Sequence, residues 1–335
     1  MSNFSLGDLA QTFMLQRRGA ALKADMTRLN EELATGQVSD VKSVLAGNVS
    51  YLADIEKDLR TLSGYGVAAS EAAQFTDSVQ IALERIDTNV GSLSSALVTT
   101  AGSALGPVLD QLSTDAETNL RAIVSTLNTA TGGRALFSGA ASDQQAIESA
   151  DAILTGLRTA IAGATSADTI RAAAQAWFDD PAGFTATAYG GADTDINAFR
   201  VSEDEAVSVQ LRADDPVIRD VLMNTALAAL AGSASLGLST EEQQTLLAET
   251  GSELFTVQSS LTATRANVGA AQARIDTLMT RNATEETALT FAKGALLQAD
   301  PYETATNLEA VQFQLQSLYT VTARMSDLSF VNFIR

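Results

Sequence analysis

Any chemistry in this chain has to run on carboxylates and hydroxyls. The sequence holds 40 Asp and Glu against 21 Lys and Arg, and neither His nor Cys occurs. Without His the commonest general base and the commonest metal ligand are missing. Without Cys there is no thiolate nucleophile, zinc finger or disulfide. Paired carboxylates or a Ser–Lys arrangement could still act, but no such pair stands out. Neither GxGxxG nor GxxxxGK[ST] is present, and the YGG of Tyr189 to Gly191 reads as a turn, so nucleotide binding has no sequence support. Trp177 is the single Trp. A lone Trp is more often a core or rim anchor than a ligand platform. These residues describe a non-enzyme, with no cofactor and no metal expected.

The formal charge of −19 argues against nucleic acid and anionic lipid as partners, because both need a basic footprint. No run reaches the ~18 apolar residues of a membrane span, so no membrane is expected either. The opening MSNFSLGDLAQTFMLQRRG lacks the basic n-region, apolar run and cleavage site of a secretory signal. The expectation is a cytoplasmic chain, or one exported without a cleaved peptide. The acid is concentrated in the middle. Residues 141–250 carry 17 acidic and 5 basic side chains, a net −12, whereas 1–140 carry −5 and 251–335 carry −2. That is the signature of a well-hydrated unit between two nearly neutral ends.

Few prolines and a composition dominated by Ala, Leu, Ser and Thr favour long helices. Near the N-terminus Leu22, Met26, Leu29 and Leu33 step by four, three and four until TGQVSD (Thr35 to Asp40) breaks the run. A second run starts at Leu52 and shifts register to Val79, Leu83, Ile86, Val90, Leu93 and Leu97, ending at AGSALGP (Ala101 to Pro107). A third follows from Leu109 to Leu127. Toward the other end Leu254, Val257, Leu261, Val268, Ile275, Leu278, Leu289 and Leu296 fit one heptad frame. Thr264, Ala271, Asn282, Glu285 and Ala292 fill its weaker positions. After ADP (Ala299 to Pro301) the frame resumes at Leu308, Val311, Leu315, Leu318, Thr322 and Met325. Periodicity alone leaves two readings open, an ordinary bundle core and an intermolecular coil.

Between these ends, DQQAIESADAILTGLRTAIAGA and SADTIRAAAQAWFDD read as two helices, the second capped by Ser166 or Asp168. FTATAYGG, INAFRVS and AVSVQLRA are enriched in β-branched and aromatic residues and read as three short strands. A helix opening at Pro216 and closing at Gly232, and another opening on Ser239 or Thr240, complete the pattern.

The chain closes on MSDLSFVNFIR, with Leu328, Phe330, Phe333 and Ile334 among its last residues. Chain ends are more usually small and polar. Burying a Leu or Phe contributes roughly 1.5–3 kcal/mol, so these residues are expected to be covered, either by the chain's own fold or by another copy of the chain.

GGRALFSGAASD (Gly132 to Asp143) resembles a stretch of the flagellar hook–filament junction proteins, the hook-associated protein 3 family, in a flagellin-like group. Gly133, Arg134, Leu136, Phe137, Ser138 and Gly139 carry the match. LNEELATG (Leu29 to Gly36) resembles the end of that family's first helix, although the usual Ser-Asp-Asp-Pro segment is reduced to VSDV here. RANVGAAQARIDTL resembles the flagellin-type C-terminal segment through Arg265, Asn267 and Arg274, and LSFVNFIR is similar to the family's apolar end. The matching stretches fall at both ends of the chain, and the acidic centre is recognised by position only.

The resemblance implies a mainly α fold: an elongated rod of paired N- and C-terminal helices with a smaller α+β outer domain inserted. The expected division is 1–45 plus 300–335 as an inner axial coiled coil, 46–140 plus 250–299 as a helical rod, and 141–249 as the acidic outer domain. The implied role is a structural adaptor, exported by the flagellar type III apparatus and secreted to the hook–filament junction. The alternative is flagellin itself. Its implied partners are other copies of the chain in a ring layer, the first hook-associated protein, flagellin, and an export chaperone on the C-terminal helix. The expected assembly interface consists of Leu15, Leu22, Leu29 and Leu33 on the first helix. On the last it consists of Leu308, Val311, Leu315, Leu318, Met325, Leu328, Phe330, Phe333 and Ile334.

Overall fold

The computed structural model describes residues 6–41, 49–233 and 236–333, with side chains except those of 6–9 and 326–333. In chain order its elements are α1 (Leu6–Thr35), α2 (Val49–Thr100), α3 (Gly106–Leu127), the strands β1 (Ala130–Thr131) and β2 (Arg134–Ala135), α4 (Ala150–Ala160) and α5 (Ala167–Asp179). Strands β3 (Phe199–Arg200) and β4 (Ala206–Val207), α6 (Pro216–Ala231), α7 (Thr240–Leu297) and α8 (Pro301–Phe333) follow. The fold is mainly α, with long paired helices and few, very short strands. It divides into two compact units, one of Met1–Leu62 with Thr284–Arg335 and one of Ser63–Ala283.

Local chemistry sets the helix ends. Gly36 at φ +69° ends α1, its N–H donating to the Glu32 carbonyl at 2.8 Å, a left-handed residue in the place where glycine costs least. α2 tightens into a 3₁₀ turn at Ala101–Ser103. Ser166 and Thr169 form a capping box on α5. Pro216 sits in the first turn of α6, and Gly232 closes it. The Ser239 hydroxyl accepts from the Glu242 N–H at 3.2 Å and caps α7. Asp300 does the same for α8, accepting from Tyr302 and Glu303 at 2.8 and 3.1 Å.

In the central unit, α2 and α7 run antiparallel. Val79, Leu83, Ile86, Val90, Leu93 and Leu97 on α2, and Leu254, Val257, Leu261, Val268, Ile275 and Leu278 on α7, are all buried in one core. Both stripes are thus intramolecular core here, which decides between the two readings for these residues. Several polar bonds cross the pair, among them Gln80 to the Arg265 carbonyl at 2.7 Å, Ser94 to the Gly251 carbonyl at 2.8 Å, and Gln258 to the Asp87 carboxylate at 3.2 Å. α3 packs on α6 along Leu109, Leu120 and Ile123 on one side and Ile218, Leu222 and Leu230 on the other. The Gly232 N–H donates to the Ser113 hydroxyl at 2.8 Å and closes the end of that pair.

The region expected to hold three strands forms less sheet than its composition suggests. FTATAYGG is no strand: Pro181–Thr185 winds as a π-type turn, with the Asp180 carboxylate accepting from Ala182 N–H at 2.9 Å. Its aromatic residue serves packing instead, Phe184 stacking on Phe178 with centroids 4.9 Å apart. Trp177 meets the Phe178 ring edge-on at 4.9 Å and lies against the core, as an anchor does. INAFRVS and AVSVQLRA contribute only the two-residue pair β3–β4. β-branched content here marks inward-facing side chains on irregular backbone, which the alternation pattern cannot distinguish from a ladder.

Asp220 on α6 is half-buried, and its pKa is raised, first by burial and then by the nearby carboxylates Asp179 and Glu253, with Arg219 opposing. A carboxylate whose folded pKa lies above its unfolded value favours the folded state at low pH and costs stability once pH passes through that folded pKa. Asp220→Asn is therefore expected to raise the denaturant midpoint at pH 7. The gain should shrink as pH falls below the ordinary carboxylate range, where the wild-type group is protonated in both states. Parallel urea titrations at pH 7 and pH 3.5 check this, and an equal gain at both pH values would exclude a charge effect.

Candidate assembly interface

α1 and α8 pack antiparallel within the terminal unit. At one end, Gln37 and Gln298 form an antiparallel bridge, with Val38 N–H donating to the Leu297 carbonyl and Ala299 N–H to the Gly36 carbonyl, both at 2.9 Å. Farther along, the Lys23 ammonium lies 5.8 Å from the Tyr319 ring centroid, and the Leu318 side chain faces Gly19. Beyond that, Gln11 approaches the Met325 sulfur at 3.9 Å. Glu32 is buried beside the loop and accepts from Arg28 Nη1 and from the Ser39 N–H, both at 3.0 Å. Its charge is thus held by two donors, as a buried carboxylate requires.

The helix pair places the expected interface residues in three ways. Leu22, Leu29 and Leu308 are buried between the helices. Leu15, Val311, Leu315, Leu318 and Met325 are half-buried, and Leu33 is 42% exposed. Leu328, Phe330, Phe333 and Ile334 lie outside the residues whose side chains are described. The heptad frame selects inward positions and so passes over the outward ones. Phe13 is 66% exposed, Met14 64% and Phe313 70%, and Tyr302, Tyr319 and Val321 are also exposed. Large apolar side chains left in water on one helix pair mark an interaction surface. Their signal in the sequence is aromatic residues off the heptad positions.

The residues of the GGRALFSG match do structural work in the central unit. Gly132 and Gly133, at φ +60° and +81°, make the two-residue turn between β1 and β2. Arg134 pairs with Glu71, and its guanidinium lies 5.7 Å from the Phe199 ring centroid. Phe137 is fully buried, and its carbonyl accepts from Ala213 N–H at 2.8 Å. The buried Ser138 hydroxyl donates to the Ala141 carbonyl at 2.9 Å. Gly139 has φ +61°, and a Cβ there would overlap the Thr194 carbonyl and come 2.9 Å from Arg212 Cδ. Arg212 in turn binds Asp195 at 2.6 Å and Asp214 at 2.8 Å. These carboxylates hold its pKa above the usual range, the hydrogen bond to Asp214 first. Tyr189 donates to the Ala192 carbonyl at 2.8 Å, and its pKa is raised chiefly by burial.

In the second matching segment, Arg265 reaches Asp87 at 3.3 Å and Glu84 at 3.7 Å across the α2–α7 pair. Arg274 pairs with Glu205 beside β4, and Asn267 is exposed. Arg265 and Arg274 thus tie α7 to other parts of the central unit.

Among the described residues no group of carboxylates is placed to hold a metal ion, and no helix is long and apolar enough to cross a membrane.

No curated protein matches the chain in sequence. A solved structure described as a flagellar hook-associated protein from Vibrio parahaemolyticus superposes with a TM-score of 0.52 at 12% identity, covering 75% of this chain and 99% of that one. The two share a fold. Residues 254–334, from the first third of α7 through α8, match the family described as the bacterial flagellin C-terminal helical region.

Proposed function

We propose that the protein is a structural subunit of the bacterial flagellum that assembles through α1 and α8 and carries no catalytic activity. The observation that carries this reading is the surface of α8. The segment that matches the flagellin C-terminal helical region is the one that leaves Phe313, Tyr319 and Val321 in water. A monomer gains nothing from such residues, whereas burial against neighbours would contribute roughly 1.5–3 kcal/mol for each large side chain. The finer assignment is to the hook–filament junction, as an adaptor between the first hook-associated protein and flagellin. The GGRALFSG stretch and the closing LSFVNFIR favour it. In this reading 1–45 with 300–335 forms the inner assembling layer, 46–140 with 250–299 the rod, and 141–249 the outer domain. Export through the flagellar type III apparatus, with a chaperone on the C-terminal helix, belongs to the same proposal.

The second reading is the filament subunit itself, favoured by the match to flagellin over 254–334. Antibody labelling and copy counting on purified flagella separate the two. The junction reading expects label at one point where hook meets filament and few copies per flagellum. Label along the whole filament would make the chain flagellin, and its absence from flagella would overturn both.

A further inference from the structure

The α1–α8 unit is electrically polar along its length. Residues 10–24 and 315–325, which lie together because the helices are antiparallel, hold Arg17, Arg18, Lys23 and Arg324 and no acidic residue. Residues 25–40 and 298–314, at the other end, hold seven acidic residues and a single basic one, Arg28. Arg17, Arg18, Lys23 and Glu303 are exposed. The acidic end also contains an open cavity of about 490 Å³, with Asp25, Asp40, Asp300 and Glu303 among its lining residues. Arg28 is already engaged there, by Glu32 at 3.0 Å and Asp25 at 3.5 Å. Each end also bears exposed apolar side chains, Phe13 and Met14 beside the arginines and Tyr302 and Phe313 beside the acids.

We propose that these two surfaces bind each other between copies of the chain, the basic end of one copy docking Arg17 and Arg18 into the acidic cavity of the next. This rests on the reading of the protein as an assembling subunit and supplies its polarity. Opposite charge placed at the two ends of one body disfavours a contact between like ends. It pairs the basic end of one copy with the acidic end of another, as head-to-tail addition does. An antiparallel two-fold pair would satisfy the same charges but stop at a dimer, so growth beyond two copies is the mark of head-to-tail addition. The exposed aromatics then add apolar area around the charged contact. The occupant is a second copy because one chain carries both complementary surfaces.

The test uses the purified full chain in sedimentation velocity. Self-association is expected to weaken by at least about tenfold between low salt and 0.5 M NaCl, since contacts between exposed charges are screened. Arg17→Gln with Arg18→Gln loses its docking end, and Asp25→Asn with Glu303→Gln loses its receiving end. Each double variant alone should stay monomeric with unchanged circular dichroism. Mixed one to one, they should form a pair that grows no further, because the first retains an intact acidic end and the second an intact basic end. Overturning results are a wild-type chain that stays monomeric at low salt, a variant that associates alone as the wild type does, or a mixture that stays monomeric. The flagellar assignment fails separately, through the labelling of intact flagella.

Discussion

Gly139→Ala is expected to cost the central unit about 3 kcal/mol or more and to lower its melting temperature by roughly 6–12 °C, at about 2–4 °C per kcal/mol for a domain of this size. The left-handed φ of +61° alone costs an L-residue about 1–2 kcal/mol. The added methyl would also overlap the Thr194 carbonyl, which now accepts from Ala140 N–H at 2.9 Å, while Ala192 N–H donates to the Ser138 carbonyl at 2.9 Å. Making room moves the 192–194 loop and strains both bonds, each contributing about 1 kcal/mol. Gly132 supplies the control. It has nearly the same φ, +60°, but a Cβ added there would meet nothing within 4 Å, and Asn is well tolerated in such a turn. Gly132→Asn should therefore shift the melting temperature little. Thermal melts of the two variants check the pair. Equal destabilisation would mean that backbone conformation, not the close approach of the 192–194 loop, sets the requirement at Gly139.

Leu22→Ala, Leu29→Ala and Leu308→Ala combined should separate α1 from α8. Truncating a buried Leu costs about 2–5 kcal/mol per site, with some coupling between sites that share one seam. Few other side chains between these helices are fully buried. The 30 residues of α1 and 33 of α8 would then stand as solvated helices without a packed face, and such helices are marginal in water. Far-UV circular dichroism should lose helical signal in an early, shallow phase while the central unit's cooperative transition stays in place. Incorporation into flagella should be lost as well. Phe313→Ser provides the contrast: its side chain is 70% exposed, so monomer helicity should hold while incorporation falls. If the triple variant keeps full helicity, the three leucines are not what holds the pair.

The helix ends are legible in the sequence because their causes are local. Gly36, Pro216, Gly232 and Ser239 act within a turn of where they stand, and a sequence displays such neighbours directly. The buried faces of α2 and α7 are legible for a related reason, since Val79 to Leu97 and Leu254 to Leu278 repeat at helical spacing. What periodicity withholds is the partner of a stripe. A heptad frame is equally consistent with a neighbouring chain and with a helix of the same chain, and only the fold brings Val79 to Leu97 and Leu254 to Leu278 into one core. Composition overstates the short strands because Phe184 and its neighbours satisfy a β pattern while packing from a turn. The Arg212 network is illegible: Asp195 is 17 residues away along irregular backbone, with no period to predict the meeting. On the candidate interface the frame finds the inward leucines and misses Phe13 and Phe313, whose importance lies in facing outward.

The polar bonds between α2 and α7 have a consequence for how such a chain can change over evolutionary time. Gln80 and Ser94 bind main-chain carbonyls, at Arg265 and Gly251, so they read position along the partner's axis and ignore side-chain identity there. The bond at Arg265 survives a change of side chain there, whereas Gly251 is fixed for a different reason, since a Cβ added to it would come 2.7 Å from Leu97 Cβ. At both sites length cannot drift freely. One inserted residue turns everything beyond it by about 100° and advances it by about 1.5 Å, which removes both the buried stripe and the bonds from register. Even a seven-residue insertion, which nearly restores the face, displaces the acceptors by roughly 10 Å. Gln258 and Asp87 are 171 positions apart in the chain, yet a tolerated insertion beside one calls for a matching insertion beside the other. Relatives of different length should thus carry their gaps in mirrored pairs on the two helices, or else in the loops.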